Sequence, residues 1–435
     1  MIHKLILSEL KARKEPVQVA IVGCGWVGAG VARELARLPG FRVAALVDKD
    51  MARVRKTFAD IGCPVERTAT AGSSSELKAA RRAGKAAAFS DLALVGELRG
   101  IDVVFEAIGE VAPGLETATH ALQTGMHLVT ANCEMDATVG LMLARQARSC
   151  GLVYTEADGD QPAVLARMIA EVEFMGFQPK IVGNCKGFLD HAQTPSGVMP
   201  FVPAGQNPVQ LCANADGSKQ SFEMAILGNA FGYRPLRRGM HGPRTTKADL
   251  VRDFEKLVDI SGLDGTAVDF VMGIDGVDQG GGVFVVARRD GEPARSDMLY
   301  LKKGPGPNYL FFRDHHLCYF ESASSIAEAV LFRSATLAPA GRFMEVIAVA
   351  KRPIAAGQRL DGIGGYDCYG LAETAAAAAR EGCLPQGLAE FATARVPIAK
   401  DAPITYEMVE LDDAPAVRLK SEQDRLPLNA DGVER

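Results

Sequence analysis

An apolar segment that runs straight into a glycine-rich turn constrains the fold of this chain more than any other feature. Residues 17–22 are apolar and mostly β-branched, a composition typical of a buried strand. Gly23, Gly25 and Gly28 follow at once in a Gly-x-Gly-x-x-Gly pattern, and apolar residues then recur at helical spacing. Such glycines allow a tight turn and close packing of the helix on the strand. The free N–H groups at the start of the helix are therefore predicted to face an anion.

A second strand extends this motif toward a nucleotide. Residues 41–47 are again largely apolar, and Asp48 follows them, about 20 residues beyond the last glycine. A carboxylate at this point accepts hydrogen bonds from the ribose hydroxyls of a dinucleotide, so we predict a nicotinamide cofactor. The residues expected to contact it are Gly23, Gly25, Trp26, Val27, Gly28, Asp48, Gly109 and Asn132.

The charge of Asp48 bears on which nicotinamide cofactor binds. A carboxylate repels the 2′-phosphate of NADP, so Asp48 favours NAD. Lys49, Arg53 and Arg55 lie close by in the sequence, and a basic side chain can cover a 2′-phosphate. We therefore expect NAD or NADP, with NAD preferred.

The alternation of strand and helix patterns divides the chain into regions. Residues 1–155 alternate regularly, which predicts an α/β Rossmann domain with a doubly wound parallel sheet. Residues 156–344 are predicted to form an α+β domain for substrate binding, catalysis and dimerisation. Residues 345–415 contain short strand-like pieces of a small β domain, and the charged residues 416–435 are predicted to be a flexible tail.

Several local expectations accompany this division. Residues 63–75 are rich in Thr, Ser and Gly and are predicted to be a loop, and a helix is predicted over 138–149. A strand is predicted over 209–213, and Lys186 is expected in a loop after the first strand of the second domain.

The composition excludes several function classes. The formal net charge of −5 gives no basic surface for nucleic acid, and no apolar run is long enough to span a bilayer. The nine cysteines are scattered without close pairs, as reduced thiols are, and no spacing is typical of a zinc site, so no metal ligand is assigned. We expect a cytoplasmic protein that binds a small-molecule substrate, without nucleic-acid or membrane partners, and that forms a homo-oligomer, a dimer or a tetramer.

Three further segments carry a resemblance to a known family. They are His127-Leu-Val-Thr-Ala-Asn132, Asp158-Gly-Asp-Gln-Pro162 and Val182-Gly-Asn-Cys-Lys186. With the glycine turn, these segments resemble homoserine dehydrogenase, and residues 345–410 resemble a SAF domain, a small β-clip module. The combination looks like the homoserine-dehydrogenase-like proteins with a C-terminal SAF domain, a group that includes 1-deoxy-D-xylulose 5-phosphate reductoisomerase-like enzymes. Cys133 stands where homoserine dehydrogenases carry a lysine, so we expect a related activity on another substrate.

Three residues are predicted to carry the chemistry. Asp160 in the turn between the first two domains and Lys186 are expected to face each other as an acid/base pair. His241 is flanked by glycines in a constrained loop where an imidazole can approach a ligand. Four acidic or basic side chains are expected to bind the substrate: Glu134, Lys219, Arg244 and His316. For Glu134, an acid in a solvated loop without a substrate contact is an equally good interpretation.

These features together predict an NAD(P)-dependent oxidoreductase that transfers a hydride to or from a small polyhydroxylated or phosphorylated substrate. One alternative is a reductoisomerase, which uses NADPH and a divalent metal that Glu134, Asp136 or Asp160 would hold. The other alternative is a regulatory protein that senses NAD without turnover.

Overall fold

The computed structural model describes residues 2–203, 206–273 and 281–428, which form two compact units. The first unit contains the chain up to Asp160 together with Leu317–Ala338. The second unit contains Gln161–His316 and the chain from Pro339 onward.

A seven-stranded parallel sheet forms the centre of the first unit. Its strand order is β3-β4-β2-β1-β5-β6-β7, so the chain reverses direction across the sheet at β1, as in a doubly wound fold. The predicted fold class is confirmed. The strands are β1 Val17–Val22, β2 Phe41–Val47, β3 Thr68–Thr70, β4 Ala86–Phe89, β5 Val103–Glu106, β6 His127–Thr130 and β7 Tyr154–Glu156.

The helices of the first unit cover the faces of this sheet. Ile21, Leu46, Phe105 and Val129 are fully buried in one apolar core, which explains why the strands are nearly continuous apolar runs. A later helix over Ala323–Leu331 contributes to the same core. The earlier helices are α1 Ile2–Ala12, α2 Trp26–Arg37, α3 Met51–Asp60, α4 Ser74–Arg82, α5 Val111–Gln123 and α6 Cys133–Ser149.

Two local predictions for the first unit are wrong. The expected loop over 63–75 contains strand β3, a short edge strand whose alternating pattern is too brief to detect. Helix α6 begins at Cys133 rather than at 138, because the Asn132 side chain caps it by accepting a hydrogen bond from the Met135 N–H.

A mixed five-stranded sheet forms the second unit, in the order β12-β11-β8-β10-β9. Strands β8, β10 and β9 run parallel, whereas β11 is antiparallel to both β8 and β12. The strands are β8 Gln178–Lys186, β9 Arg234–Pro235, β10 Ala267–Met272, β11 Val283–Arg288 and β12 Asn308–Arg313. Lys186 is thus the last residue of a strand, not part of a loop.

The helices of the second unit precede and follow these strands. They are α7 Gln161–Phe174, α8 Pro195–Val198, α9 Pro208–Ala215, α10 Ser218–Phe231, α11 Leu250–Leu257 and α12 Ala294–Tyr300. The strand predicted over 209–213 is wrong, since α9 occupies it. Asn207 caps this helix through the Val209 N–H, and Pro208 fits its first position.

The C-terminal segment of the second unit adds two small antiparallel pairs of strands. Helix α13 is the Ala323–Leu331 helix of the first unit, and the remaining elements are β13 Met344–Ala350, β14 Cys368–Thr374, α14 Ala375–Arg380, β15 Ala392–Ala394, β16 Val409–Leu411 and α15 Pro415–Asp424. The SAF assignment of 345–415 stays a prediction.

The prediction of a flexible tail from residue 416 onward is wrong for most of the residues that the structure describes there. Residues 415–424 form helix α15, and Lys420 is almost fully buried there. Its ammonium pairs with Glu345 on β13 at 2.8 Å, which holds the helix against that strand, and also with Asp424 within the helix itself. Residues 429–435 lie outside the described ranges.

No helix in the described ranges combines the length and the apolar character needed to cross a membrane.

Candidate functional site

The glycine turn between β1 and α2 leaves room for a ligand at one glycine only. Gly23 has a left-handed φ of 94°, and a Cβ there would lie 2.5 Å from the Ala107 carbonyl oxygen. A Cβ on Gly28 would overlap the Gly23 carbonyl, so Gly28 is required for the helix to pack. A Cβ on Gly25, in contrast, meets nothing within 4 Å. The open space beside Gly25 fits the pyrophosphate of a dinucleotide.

The N-terminus of α2 and the Asp48 carboxylate complete this site. No side chain caps α2 at Gly25 in the described structure, so its first N–H groups can bind an anion. Asp48 accepts a hydrogen bond of 2.7 Å from the Cys24 N–H and one of 2.8 Å from the Asp50 N–H. Each oxygen of a carboxylate can accept more than one hydrogen bond, so Asp48 can also bind ribose hydroxyls.

The other residues predicted to contact the cofactor lie around this turn. Trp26 is the first residue of α2 and is 54% exposed. Its ring packs edge-on against that of Tyr319, with 5.2 Å between the ring centroids. Val27 is half-buried in the next position and packs against the apolar core. Gly109 follows β5 with a φ of 77°. Their contact with the cofactor stays a prediction.

Asn132 has a different role from the predicted one. Its side chain is fully buried; the amide donates to the Glu106 carboxylate at 3.3 Å and to the Glu110 carbonyl at 3.0 Å, while its oxygen caps α6. Glu106 also accepts from Thr130 at 2.7 Å. Burial raises the pKa of Glu106, although these hydrogen bonds oppose the shift. Asn132 therefore organises the strand ends, and its predicted contact with the cofactor has no support in this geometry.

A second buried group lies at the carboxyl ends of β6 and β7. The Cys133 thiol is 2.9 Å from the Asp160 carboxylate and 3.9 Å from that of Glu156, and the three ligand atoms lie within 4.8 Å of one another. A thiol with two carboxylates fits a borderline divalent ion such as Fe²⁺ or Zn²⁺ better than Mg²⁺ or Mn²⁺. Of these three residues, sequence reasoning named only Asp160 as a candidate metal ligand, because Cys133 and Glu156 belong to no recognised spacing.

The two other acids proposed for a metal or a substrate do not lie in loops. Glu134 and Asp136 occupy the first turn of α6 and are 7% and 3% exposed. Burial raises the pKa of Asp136 to about 7, although the neighbouring Tyr154 and Glu156 side chains oppose this shift. Both acids are buried in the helix rather than exposed in a solvated loop, and their contact with a substrate stays a prediction. Of the three candidates for a metal, only Asp160 joins the cluster.

In the second unit, Lys186 lies beside a buried polar cluster. Its ammonium is 3.8 Å from Glu223, and only 12% of the Lys186 side chain is exposed. Asn184, two residues earlier on the same face of β8, donates to Glu223 at 2.7 Å and to Gln161 at 2.8 Å. Gln220, one turn before Glu223 on α10, donates to the Asn184 oxygen. Of this cluster sequence reasoning found only Lys186; the alternation along β8 could have indicated Asn184.

His241 also has a buried partner that sequence reasoning missed. Its Nδ1 lies 2.8 Å from Oδ2 of Asp269, whose side chain is completely buried in β10. An apolar stretch of sequence surrounds Asp269, and a lone acid in such a strand was a usable signal.

The remaining predicted residues are dispersed. Arg244 is exposed, and its backbone bridges to Met272. Lys219 is the second residue of α10, and His316 is 2.9 Å from the Gly281 carbonyl through Nδ1. Asp160 belongs to the first unit and Lys186 to the second, so their pairing stays a prediction.

Two family models match the chain. Residues 18–127 match the model described as 3-hydroxyacyl-CoA dehydrogenase, NAD binding domain, and residues 159–322 match the model described as Oxidoreductase DRL, catalytic domain. No curated protein sequence matches.

Many solved structures show a distant likeness to this chain. A myo-inositol 2-dehydrogenase from Lactobacillus plantarum is 13% identical over 63% of this chain and 66% of its own, with a TM-score of 0.33. GenD2 from gentamicin A biosynthesis, solved with NAD, is 14% identical over 73% and 87%, with a TM-score of 0.38. A DOX-P reductoisomerase solved with NADPH, fosmidomycin and magnesium is 14% identical over 48% and 57%, with a TM-score of 0.34. The chain spans slightly under two thirds of the inositol dehydrogenase, and these distant likenesses carry no functional argument.

The fold, the glycine turn and the two family models together define a class. The chain is an NAD(P)-dependent oxidoreductase with an NAD-binding domain at its N-terminal side. The predicted class of cofactor is thereby confirmed. The homoserine-dehydrogenase-like character stays a prediction.

Proposed function

We propose that the chain catalyses hydride transfer between a nicotinamide cofactor and the carbinol or carbonyl carbon of a small polyhydroxylated or phosphorylated substrate. The first unit would hold the cofactor through the glycine turn and Asp48, and the second unit would supply the groups that handle the substrate oxygen. The charge of Asp48 supports NAD as the preferred cofactor.

The observation that carries this proposal is the placement of the Lys186 ammonium. A lysine that is 12% exposed and 3.8 Å from the nearly buried Glu223 is not an ordinary surface cation. The Asn184 amide donates to the same Glu223 oxygen that the Lys186 ammonium approaches, so the carboxylate is held in place, and the ammonium has three N–H donors in total. The ammonium would polarise a substrate carbonyl, since it stabilises the negative charge that develops on oxygen. The bound nicotinamide supplies the hydride or accepts it.

Turnover measurements with Lys186 variants test this proposal. The full chain is screened against polyols, aldonates and sugar phosphates with each cofactor, and the absorbance of the reduced nicotinamide is followed. Lys186→Met is expected to lower kcat by about 10²- to 10⁴-fold and to leave the cofactor dissociation constant unchanged. Lys180→Met is the matched control, because Lys180 lies on the same strand and donates to the Leu263 carbonyl at 2.9 Å. Near-normal turnover of Lys186→Met would reject the role of Lys186, and no turnover on any substrate would favour a protein that only senses NAD.

A second candidate function is a reductoisomerase that couples a carbon-skeleton rearrangement to NADPH oxidation. The Cys133–Glu156–Asp160 cluster supports it, because such an enzyme needs a divalent metal and these side chains could hold one. A chelator would then abolish turnover, Fe²⁺ or Zn²⁺ would restore it, and Cys133→Ser would raise the metal concentration required. If a chelator does not change turnover, the reductoisomerase is rejected and the simple dehydrogenase is favoured.

A further inference from the structure

The loop that carries His241 is folded around one buried carboxylate, that of Asp269. The backbone N–H groups of His241, Gly242 and Phe270 donate to it at 3.0, 2.9 and 2.8 Å. The imidazole of His241 lies against the same carboxylate at 2.8 Å through Nδ1. Both the backbone and the side chain of His241 are therefore held by one side chain of β10.

The backbone of this loop is costly to form, which indicates that its shape serves the imidazole. Met240 has a left-handed φ of 66°, a conformation that few residues other than glycine adopt. Gly239 and Gly242 on either side have φ values of 75° and 58°. The loop then runs along β10, where Thr245 donates to the Met272 carbonyl at 2.9 Å. These contacts fix where the imidazole lies.

The contact with Asp269 also determines which nitrogen of His241 can accept a proton. A carboxylate can only accept a hydrogen bond, so Nδ1 must carry the hydrogen and Nε2 has the lone pair. In the ranges that the structure describes, Nε2 of His241 has no hydrogen-bond partner, and 16% of the side chain is exposed. An imidazole held in this way is ready to take a proton from a ligand at Nε2.

The loop lies on the same sheet as Lys186. Strands β10 and β8 are parallel neighbours, with Met272 opposite Lys186 and Asp269 opposite Gly183. The three residue steps from Asp269 to Met272 span about 10 Å along the strand. The loop reaches Met272 through the bridge formed by Arg244, so this end of the loop and Lys186 both lie at the carboxyl end of the strand pair, whereas His241 is held at Asp269, nearer the middle of β10.

We propose that His241 is the proton carrier of the reaction and that Asp269 is its positioning residue; this inference rests on the proposed hydride transfer. In the oxidation direction the substrate O–H bond breaks and its proton passes to Nε2 of His241. The C–H bond of the carbon that bears this oxygen breaks as well, and its hydride passes to the oxidised nicotinamide. A C=O bond, a reduced cofactor and an imidazolium result, and the imidazolium then releases the proton to water. The reduction runs through the same groups in reverse.

A spectroscopic test does not depend on a known substrate. In the ¹⁵N-histidine-labelled full chain, the His241 signals are assigned by their loss in His241→Gln. The unmodified protein is expected to show the Nδ1–H tautomer. Asp269→Asn is expected to show the Nε2–H tautomer instead, because its amide donates to Nδ1. An Nε2–H tautomer in the unmodified protein would overturn the proposal.

Kinetics then separate a catalytic from a structural role. His241→Gln is expected to lower kcat by at least about 10²-fold without changing the cofactor dissociation constant, and imidazole is expected to rescue His241→Gly in part. His191→Gln is the matched control, since Nδ1 of His191 lies 2.7 Å from the Asp216 backbone carbonyl rather than a carboxylate. If Asp269→Asn fails to fold, the tautomer of His241 in the unmodified protein and the kinetics of the His241 variants still test the proposal.

The outcomes distinguish this inference from the proposed function. Turnover that requires Lys186 but survives in His241→Gln would overturn only the role of His241 and Asp269. Absence of turnover in the unmodified protein would overturn both proposals, whatever the tautomer of His241.

Discussion

The Asp48 carboxylate and the Cys24 backbone N–H are joined by a hydrogen bond of 2.7 Å, which ties the end of β2 to the glycine turn after β1. One side chain therefore both orders the turn and presents negative charge beside the open space at Gly25. The residue that favours NAD is thus also a structural part of the cofactor site.

The first prediction concerns this dual role. Asp48→Asn removes the charge but keeps an oxygen that can accept from the Cys24 N–H, so the turn is expected to stay ordered. The ratio of kcat/KM for NAD to that for NADP is expected to fall about tenfold, or about 1.4 kcal/mol. Asp50→Asn is the control, since Asp50 is exposed and caps α3. An unchanged ratio would mean that Asp48 does not contact the ribose.

The second prediction contrasts two glycines of the turn. Gly25 has an ordinary φ of −72° and open space beside it, so Gly25→Val is expected to fold normally yet lose cofactor binding. Gly28→Ala is expected to lose stability, because its Cβ would overlap the Gly23 carbonyl. Thermal unfolding and cofactor titration check both variants. Tight cofactor binding by folded Gly25→Val would place the pyrophosphate elsewhere.

The sequence predicts the first unit well because the residues that determine its fold are close together in the sequence. The apolar run of β1, the glycine turn and Asp48 all lie within one strand–helix–strand unit, and the positions of the glycines alone indicate its geometry. The later strands of that sheet are buried on both faces and read as plain apolar runs. Short edge elements such as β3 carry too little pattern to be recognised.

The candidate site could be predicted only in part because its partners are distant in sequence. Glu223 is 37 residues from Lys186, and Asp269 is 28 residues from His241. Which acid meets which base depends on strand register and helix packing, and no local rule encodes these. For Asn132 the local signal was ambiguous, since a polar residue at a strand end can also cap the next helix, as the Asn132 side chain does for α6.

The third prediction concerns pH and Glu106. Burial raises the pKa of Glu106 in the folded state, so the folded protein keeps a proton that the unfolded chain has lost. The free energy of unfolding of the unmodified protein is therefore expected to fall relative to that of Glu106→Gln as pH rises above about 4.5. The difference grows by at most about 1.4 kcal/mol per pH unit until Glu106 is ionised in the folded state too.

Urea denaturation across a pH series measures this difference. Glu116→Gln is the control because Glu116 is largely exposed on α5 and should follow the unmodified protein at every pH. Parallel pH profiles for Glu106→Gln and the unmodified protein would show that Glu106 ionises normally in the fold.

The fourth prediction concerns the buried ion pair between Lys351 and Asp216, which are 2.7 Å apart and 2% and 0% exposed. It joins the C-terminal segment to the start of α10, where Asp216 also accepts from the Ser218 N–H. Lys351→Met leaves a buried carboxylate without its cation, so it is expected to lower the free energy of unfolding by about 3–5 kcal/mol.

Because Asp216→Asn removes that charge, the double variant is expected to be more stable than Lys351→Met alone. Urea unfolding of the unmodified protein, the two single variants and the double variant gives the coupling energy. Arg359→Met, which breaks an exposed pair with Asp412, is expected to cost much less than Lys351→Met. Equal losses at the two sites, or strictly additive effects of Lys351→Met and Asp216→Asn, would contradict the prediction.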